Sequence, residues 1–357
     1  MNNPLSKNSN RAVSIWLLAG VFMIMVQVLL GGITRLTESG LSITEWNPIT
    51  GILPPLNDAA WMMEFDKYKH TDQFRYIHPD FTVSDFKFIF FWEWLHRVWA
   101  RMLGIVFLAG FVYFLWKRQF KKGMILPLLL LFVMGALQGA IGWIMVKSGL
   151  VPEKYFVGHI QLATHFIAAL LLLMYTGWFA LRLIVPEKQL VRNNSLHRLS
   201  LSILVILFLQ LTYGAFMAGL KAGAVAPTWP TINGSWFPDS LFSGSRPHNF
   251  TDNPFMIQFI HRGLAYLLAI LTVIWFIMAR KTKATVWFSR SMNLPIVIVT
   301  IQLILGILTV THSSSATGLL WLGMAHQFVA MILLLVWIWI FYMVRETGSI
   351  SIRGIRS

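Results

Sequence analysis

VQVLLGGITR, at residues 26–35, recurs in the second half of the chain as LQLTYGAFMA, at residues 209–218. The alignment places Gln27 opposite Gln210, Gly31 opposite Gly214 and, at the same offset, Trp46 opposite Trp229. Both copies lie in long apolar stretches, which long polar loops follow. The repeat therefore predicts a chain of two related halves, each beginning with a similar helix and loop.

Histidines recur at matched positions in the same two halves. EWLHRVWARMLG, from Glu93, matches FIHRGLAYLLA, from Phe259, and ATHFIAALLLL, from Ala163, matches MAHQFVAMILLL, from Met324. These alignments pair His96 with His261, His165 with His326 and, between them, Gln138 with Gln302. A parallel duplication of this kind predicts two similar sites, one in each half.

The composition indicates a lipid environment. The chain is 56% hydrophobic and 12% charged, whereas soluble domains carry about 25% charged residues. Eight stretches are long and apolar enough to span about 30 Å of hydrocarbon, at 14–34, 88–116, 124–146, 157–181, 200–219, 255–279, 294–312 and 319–344. The predicted fold is an all-α membrane protein whose eight transmembrane helices form two pseudo-symmetric four-helix bundles, at 14–184 and 199–344.

The distribution of charge predicts the orientation. The net charge of +15 could indicate nucleic-acid binding, but the basic residues form tracts beside the apolar spans, which is the positive-inside pattern. The tracts contain Lys117, Arg118, Lys121 and Lys122; Arg182, Lys188, Arg192 and Arg198; Arg280, Lys281, Lys283 and Arg290; and Arg345, Arg353 and Arg356. We therefore expect a bacterial inner-membrane protein with cytoplasmic termini and with long outer loops at 35–87 and 220–254.

The four matched histidines are the leading candidates for metal ligands. Each lies about six to eight residues inside an apolar run that begins at the outer face, on spans that share one direction. Two imidazoles at equal depth can bind one iron from opposite sides. Since the chain has no cysteine, thiolate sites are excluded, and zinc is less favoured than haem. A single intramembrane histidine could instead only bond a neighbouring helix.

Two arginines follow the first histidine of each pair. Arg97 and Arg262 could clamp a carboxylate, such as a haem propionate, or could extend toward water at the interface. The sequence leaves both interpretations open. Gln27, Gln138, Gln210 and Gln302 are expected to form hydrogen bonds between helices, and Gly135 with Gly139 forms a GxxxG pattern that allows close helix packing.

Glu93 distinguishes the two halves. It is the acidic residue inside a predicted span, three residues before His96, and Gln258 occupies the matched position. A carboxylate beside an iron site can transfer protons or stabilise a cation, whereas a glutamine cannot titrate. We therefore expect the reactive site in the first half, although Glu93 could also serve only the helix N-terminus.

The motifs together resemble the haem A synthase family. They are GGITRLTESGLSITEWNPITGILPPL from Gly31, EWLHR from Glu93, QLATH from Gln161, FIHR from Phe259 and MAHQ from Met324. The resemblance covers about residues 14–344, and its combination of loop motif and four histidines is highly specific. The absence of cysteine matches the branch shared by proteobacteria and mitochondria, not the members with a cysteine pair in the first outer loop.

The resemblance implies an oxidoreductase that converts the C8 methyl group of haem O to a formyl group through an alcohol stage. It implies a haem b cofactor at His261 and His326, substrate haem O at His96 and His165, and a functional glutamate at Glu93. Haem O synthase, a ferredoxin-type electron donor and a second copy of the chain are expected partners. A di-haem b electron carrier without enzymatic activity is the alternative, and a transporter is a third possibility.

Overall fold

The computed structural model describes residues 4–46, 51–121, 123–243 and 248–347, with side chains from residue 10 onward. The helices are α1 Pro4–Leu36, α2 Asp58–Lys69, α3 Asp72–Ile77, α4 Val83–Trp116, α5 Ile125–Gly149, α6 His159–Ile184, α7 Asn194–Gly219, α8 Ala222–Val225, α9 Asn249–Asp252, α10 Pro254–Arg280, α11 Val286–Ser291, α12 Leu294–Thr311 and α13 Ala316–Met343. Within these residues, eight segments are long and apolar enough to cross a membrane. They contain α1, α4, α5, α6, α7, α10, α12 and α13, so the chain is an all-α multi-pass membrane protein.

All eight predicted spans correspond to helices, but several helices begin earlier than predicted. α4 begins at Val83, where Thr82 and Asp85 form a capping box. α7 begins at Asn194, because the side chain of Asn193 accepts a hydrogen bond from the backbone N–H of Leu196 at 3.0 Å. Polar first turns of this kind are stabilised by side-chain caps. A boundary drawn from apolar character alone therefore falls too late.

The first outer loop contains helices that the hydropathy pattern did not predict. α2 and α3 pack over the outer end of α4, where Phe65, Tyr68, Phe86, Ile89 and Phe90 form a small aromatic core. The first turns of α4 therefore bury their apolar side chains against this loop. In α6 and α10 the matched histidine lies six to eight residues after the first residue of the helix, as predicted. In α4 and α13 the helix begins more than eight residues before its histidine.

The order of helix contacts is similar in the two halves. In the first half α1 packs against α4 and α6, and α5 packs against α6; in the second, α7 packs against α10 and α13, and α12 against α13. Contacts of α1 with α13 and of α6 with α7 and α13 join the halves. Two short strands, β1 (Val191–Arg192) and β2 (Val344–Arg345), pair in parallel beside the ends of α6 and α13. The division into 14–184 and 199–344 stays a prediction.

One difference separates the halves. α10 packs against α12, but the matched helices α4 and α5 are not comparably packed. Within the described chain the GxxxG pattern is not used for close packing, because a Cβ atom at Gly135 or Gly139 would meet nothing within 4 Å. The residue aligned with Gly135 in the second half is Val299, which is 4% exposed. The glycines thus leave the first bundle more open than the second.

An ion pair joins matched positions at the outer ends of α1 and α7. By the repeat alignment Glu38 corresponds to Lys221, and the Lys221 ammonium binds the Glu38 carboxylate. Both residues adopt left-handed backbone conformations, with φ of 58° and 51°. Arg35 also donates hydrogen bonds from α1 to the carbonyl oxygens of Ala218 and Gly219, at 2.9 and 3.1 Å. The ends of the two repeated helices are therefore bonded to each other.

Stability should depend on Glu38 in acid. Its hydrogen bond with His78, reinforced by Lys221, lowers the pKa of the carboxyl from 4.5 to about 2. A lowered pKa stabilises the fold above the unfolded value and loses that effect as the pH falls from about 4.5 to about 2. We expect Glu38→Gln to lower stability at pH 7 by on the order of 2 kcal/mol, allowing for partial exposure.

Thermal unfolding of the two proteins in detergent, followed at several pH values, measures this effect. The difference between wild type and Glu38→Gln should shrink steadily below about pH 4.5. Asp80→Asn removes an exposed carboxylate from the same outer loop and should change little. A Glu38→Gln protein that keeps the wild-type unfolding temperature at pH 7 would contradict the prediction.

Candidate functional site

Two histidines from different helices lie close together in the second half. His261 on α10 and His326 on α13 have ring centroids 6.5 Å apart, with their planes inclined by 72°. Two metal–nitrogen bonds of roughly 2 Å each, with about 1 Å from each nitrogen to its ring centre, span roughly 6 Å. The separation therefore fits one metal ion held between the rings. Within the described chain, no three His, Asp or Glu side chains converge as a metal site.

Each of the four matched histidines is contacted by a glutamine from a neighbouring helix. The Nε2 atoms of Gln27, Gln138, Gln210 and Gln302 lie 3.1–3.4 Å from ring nitrogens of His96, His165, His261 and His326, respectively. The prediction that these glutamines bond between helices is confirmed. The sequence did not indicate that all four bond to the histidines, although the repeat aligns them.

A glycine one turn after each glutamine makes room for the imidazole. A Cβ atom added at Gly31, Gly142, Gly214 or Gly306 would lie 2.8–3.3 Å from Cε1 of His96, His165, His261 or His326, respectively. Contacts that short require the ring to shift. The pattern Gln-x-x-x-Gly thus occurs on α1, α5, α7 and α12, and the i, i+4 spacing places both side chains on the face toward the histidine. Four copies of one unit thus contact the four matched histidines.

Several polar atoms around these rings have no protein partner. The Oε1 atoms of all four glutamines are buried without a hydrogen bond, as are the Nδ1 atoms of His261 and His326. A buried unpartnered polar atom costs about 1–3 kcal/mol, so such atoms need an explanation. Imidazole nitrogens with free bonding capacity are suitable ligands for haem iron. The residues present therefore fit a haem held by paired histidines.

Glu93 faces the first outer loop. Its carboxylate is 2% exposed and accepts hydrogen bonds from the Ser42 hydroxyl at 2.7 Å and the Ile43 backbone N–H at 2.9 Å. It also forms an ion pair with Arg97 at 2.6 Å. Three donors thus converge on it, and the capping box at Thr82 already satisfies the helix N-terminus. Glu93 is therefore not needed as a cap.

Gln258 makes a corresponding but chemically reversed set of contacts in the second half. Its amide nitrogen donates to the carbonyl oxygens of Ala222 and Ala226 at 3.0 and 3.2 Å, and its oxygen accepts from Arg262 at 2.6 Å. The first loop thus presents donors to a carboxylate, and the second presents acceptors to an amide. The Glu/Gln difference consequently has a local structural cause in addition to any chemical one.

Arg97 and Arg262 fasten the outer loops to the helices. Arg97 donates to the carbonyl oxygens of Ile43 and Glu45, both at 2.9 Å. Arg262 donates to Thr228, Pro230 and Thr231 at 2.7–3.3 Å. This use of the guanidinium groups is a third role, beyond the two that the sequence left open, and the propionate-anchor role stays a prediction.

Loss of Arg262 should loosen the second outer loop. Hydrogen bonds to a charged group contribute about 1.5–3 kcal/mol each, so Arg262→Gln should raise amide hydrogen exchange in residues 226–232 at least tenfold. Exchange measured by mass spectrometry reports this directly, and Arg280→Gln at the other end of α10 serves as the control. Unchanged exchange in the loop would show that these bonds do not hold it.

Two cavities lie apart from the histidine rings. One of about 510 Å³ is lined by apolar residues that include Met25, Trp287 and Trp339, with Arg290 at its margin. Another, of about 260 Å³, lies under the first outer loop and is lined by Pro54, Phe90, Trp94 and Arg97 among others. The second cavity adjoins the Glu93–Arg97 pair.

Some residues named in the sequence analysis lie outside the described part of the chain. They are Lys122, Arg353, Arg356, residues 47–50 and residues 244–247.

Comparison with known proteins gives a consistent result. The family of cytochrome oxidase assembly proteins designated COX15-CtaA matches residues 14–338. A haem A synthase from Flavobacterium psychrophilum is 41% identical over 333 residues, which cover 91% of this chain and 96% of the relative. Those from Paracoccus denitrificans and Novosphingobium aromaticivorans are 38% and 40% identical, over 98% and 94% of this chain and 92% and 96% of theirs.

Proposed function

The chain belongs to the COX15-CtaA family of cytochrome oxidase assembly proteins, and on that premise we propose that it is a haem A synthase. It oxidises the C8 methyl group of haem O to a formyl group through an alcohol. Apart from the similarity to the relatives, the main support for the proposal is the His261–His326 pair, whose ring centroids lie 6.5 Å apart. Conversion of the methyl to the formyl group removes four electrons from the substrate in two steps and adds one oxygen atom. If water supplies the oxygen, a separate redox partner accepts the four electrons, and if dioxygen supplies it, that partner donates the electrons that reduce dioxygen.

The two halves have different roles in this proposal. His261 and His326 hold a resident haem b, in the half where α10 and α12 pack together. His96 and His165 receive haem O, in the half where α4 and α5 are less closely packed and Gly135 and Gly139 face open space. An exchanging substrate needs the more accessible bundle. The packing difference therefore supports the assignment that the sequence predicts from Glu93.

Glu93 and Arg97 are the residues that the chain contributes to the chemistry of the first half. When bound, the substrate iron and the haem b iron supply the redox chemistry. Glu93 can hold a negative charge or a proton one turn from His96 on the same helix face. Arg97 orients the Glu93 carboxylate through the 2.6 Å ion pair and closes the outer loop over it. Loop and carboxylate together restrict access of water to this end of the site.

The proposal also covers location and partners. The basic tracts support termini in the cytoplasm of a bacterium and histidine pairs toward the outer leaflet. Haem O synthase delivers the substrate within the bilayer, a ferredoxin-type protein exchanges electrons, and a second copy of the chain can associate. A di-haem b electron carrier is the alternative that the two similar histidine pairs favour.

Pigment analysis of purified protein tests the proposal. Protein made together with haem O synthase should yield haem A or its alcohol precursor on extraction, and protein made without it should yield haem b only. Extraction of two equivalents of haem b and no haem A under both conditions would favour the electron carrier. The same preparation, made with and without the synthase, serves as its own control.

A further inference from the structure

The four glutamines on α1, α5, α7 and α12 are the most regular feature that the proposed function leaves unassigned. Each glutamine is bonded to a histidine ring on a neighbouring helix. The glycine four residues after the glutamine packs against the same ring. If the glutamines only joined neighbouring helices, there would be no reason for all four to bond to one of the matched histidines. The repetition points to a role at the histidines themselves.

A histidine that binds a metal has a second ring nitrogen, which carries a hydrogen and needs an acceptor. Such an acceptor fixes the tautomer and the ring orientation and makes the imidazole more basic. Around these rings the Oε1 atoms of the four glutamines are buried and unpartnered. Rotation of a side-chain amide by 180° exchanges its oxygen and nitrogen, so the same side chain can accept from a ring N–H.

We infer that Gln27, Gln210 and Gln302 are positioning residues that accept the ring N–H which faces away from the iron, whereas Gln138, whose amide nitrogen also donates to the His165 carbonyl oxygen at 3.0 Å, orients its ring as a donor. This inference rests on the proposed function for the identity of the metal group. The glycine one turn further lets the ring approach the helix closely enough for that bond. Each odd-numbered membrane span thus carries a two-residue unit, Gln-x-x-x-Gly, that orients a ligand on an even-numbered span.

The units of the two halves are not identical. In the second half, Gln210 and Gln302 contact only the Nε2 atoms of their histidines. In the first half, the Gln27 amide nitrogen lies 3.2 and 3.1 Å from the two ring nitrogens of His96, and Gln138 is shared between the His165 Nδ1 atom at 3.2 Å and the His165 backbone carbonyl oxygen at 3.0 Å. An amide divided between two partners holds the ring less firmly. This fits a first-half site that must exchange its haem, and a second-half site that keeps it.

Gln302→Leu tests the inference, with Gln327→Leu as a matched control. Gln327 lies on α13 next to His326 and donates between helices to the carbonyl oxygen of Val28 at 2.9 Å, where no histidine is involved. In Gln302→Leu the less basic ligand should raise the haem b reduction potential by about 59 mV, a tenfold shift in the one-electron equilibrium. Haem b transfer to excess apomyoglobin should become about 10–100-fold faster.

The control separates positioning from simple helix adhesion. Gln327→Leu should lower thermal stability but keep the wild-type potential, transfer rate and low-spin paramagnetic resonance signal. Gln210→Leu provides a second version of the test if Gln302→Leu does not fold. Equal potentials in wild type and Gln302→Leu, or equal shifts in Gln302→Leu and Gln327→Leu, would overturn the inference. Wild-type protein without haem b would instead refute the proposed function.

Discussion

His261→Ala should leave the purified protein without the absorption bands of haem b. The remaining imidazole of His326 would hold the iron alone, and the opposed geometry with 6.5 Å between ring centroids would be lost. The apolar side chain would also leave the Gln210 amide without its ring partner, which adds an unsatisfied polar group to a buried site. We expect haem b content below about a tenth of the wild-type value, consistent with loss of one of two ligands.

Reduced-minus-oxidised spectra and extracted haem, measured per mole of protein, provide the readout. His96→Ala should keep haem b, because it alters only the first half. His312→Ala is the matched control, since its Nδ1 bonds to the backbone oxygen of Leu308 at the end of α12, away from the pairs. If His96→Ala removes haem b and His261→Ala does not, the roles of the two halves are reversed.

The spans and the pairing of His261 with His326 could be predicted because they follow from strong, local signals. Apolar length determines the eight helices, and the repeat identifies which polar residues inside them share a role. The glutamines were visible in the same alignment, as Gln27 with Gln210 and Gln138 with Gln302. Their histidine partners were not, because the face that a helix presents to its neighbour depends on packing between distant segments.

The outer loops explain the larger differences between prediction and structure. Arg97 and Arg262 bond to backbone carbonyl oxygens, and carbonyl positions depend on loop conformation, which the sequence does not display. Gly135 and Gly139 illustrate the same limit inside the membrane. A GxxxG pattern permits close packing, but among the described residues no atom lies within 4 Å of a Cβ added at either glycine.

Glu93→Gln should abolish production of haem A while haem b is retained. The carboxylate accepts hydrogen bonds from Ser42, Ile43 and Arg97, and a glutamine at this position offers one oxygen and two donor hydrogens. The negative charge and the capacity to transfer a proton are lost together. General acid–base groups contribute about 10²–10⁴-fold to rate, so haem A should fall to about 1% of the wild-type amount or less.

Two companion variants distinguish a chemical role of the carboxylate from its role in holding the loop. Ser42→Ala removes one loop contact but keeps the charge and the Arg97 pair, and it should lower haem A production by no more than a few fold. Gln258→Glu places a carboxylate against the carbonyl oxygens of Ala222 and Ala226, so it should weaken haem b binding without affecting the first half. If Ser42→Ala reduces haem A as severely as Glu93→Gln, the carboxylate acts through the loop. If Glu93→Gln produces haem A at the wild-type level, Glu93 has no part in the oxidation.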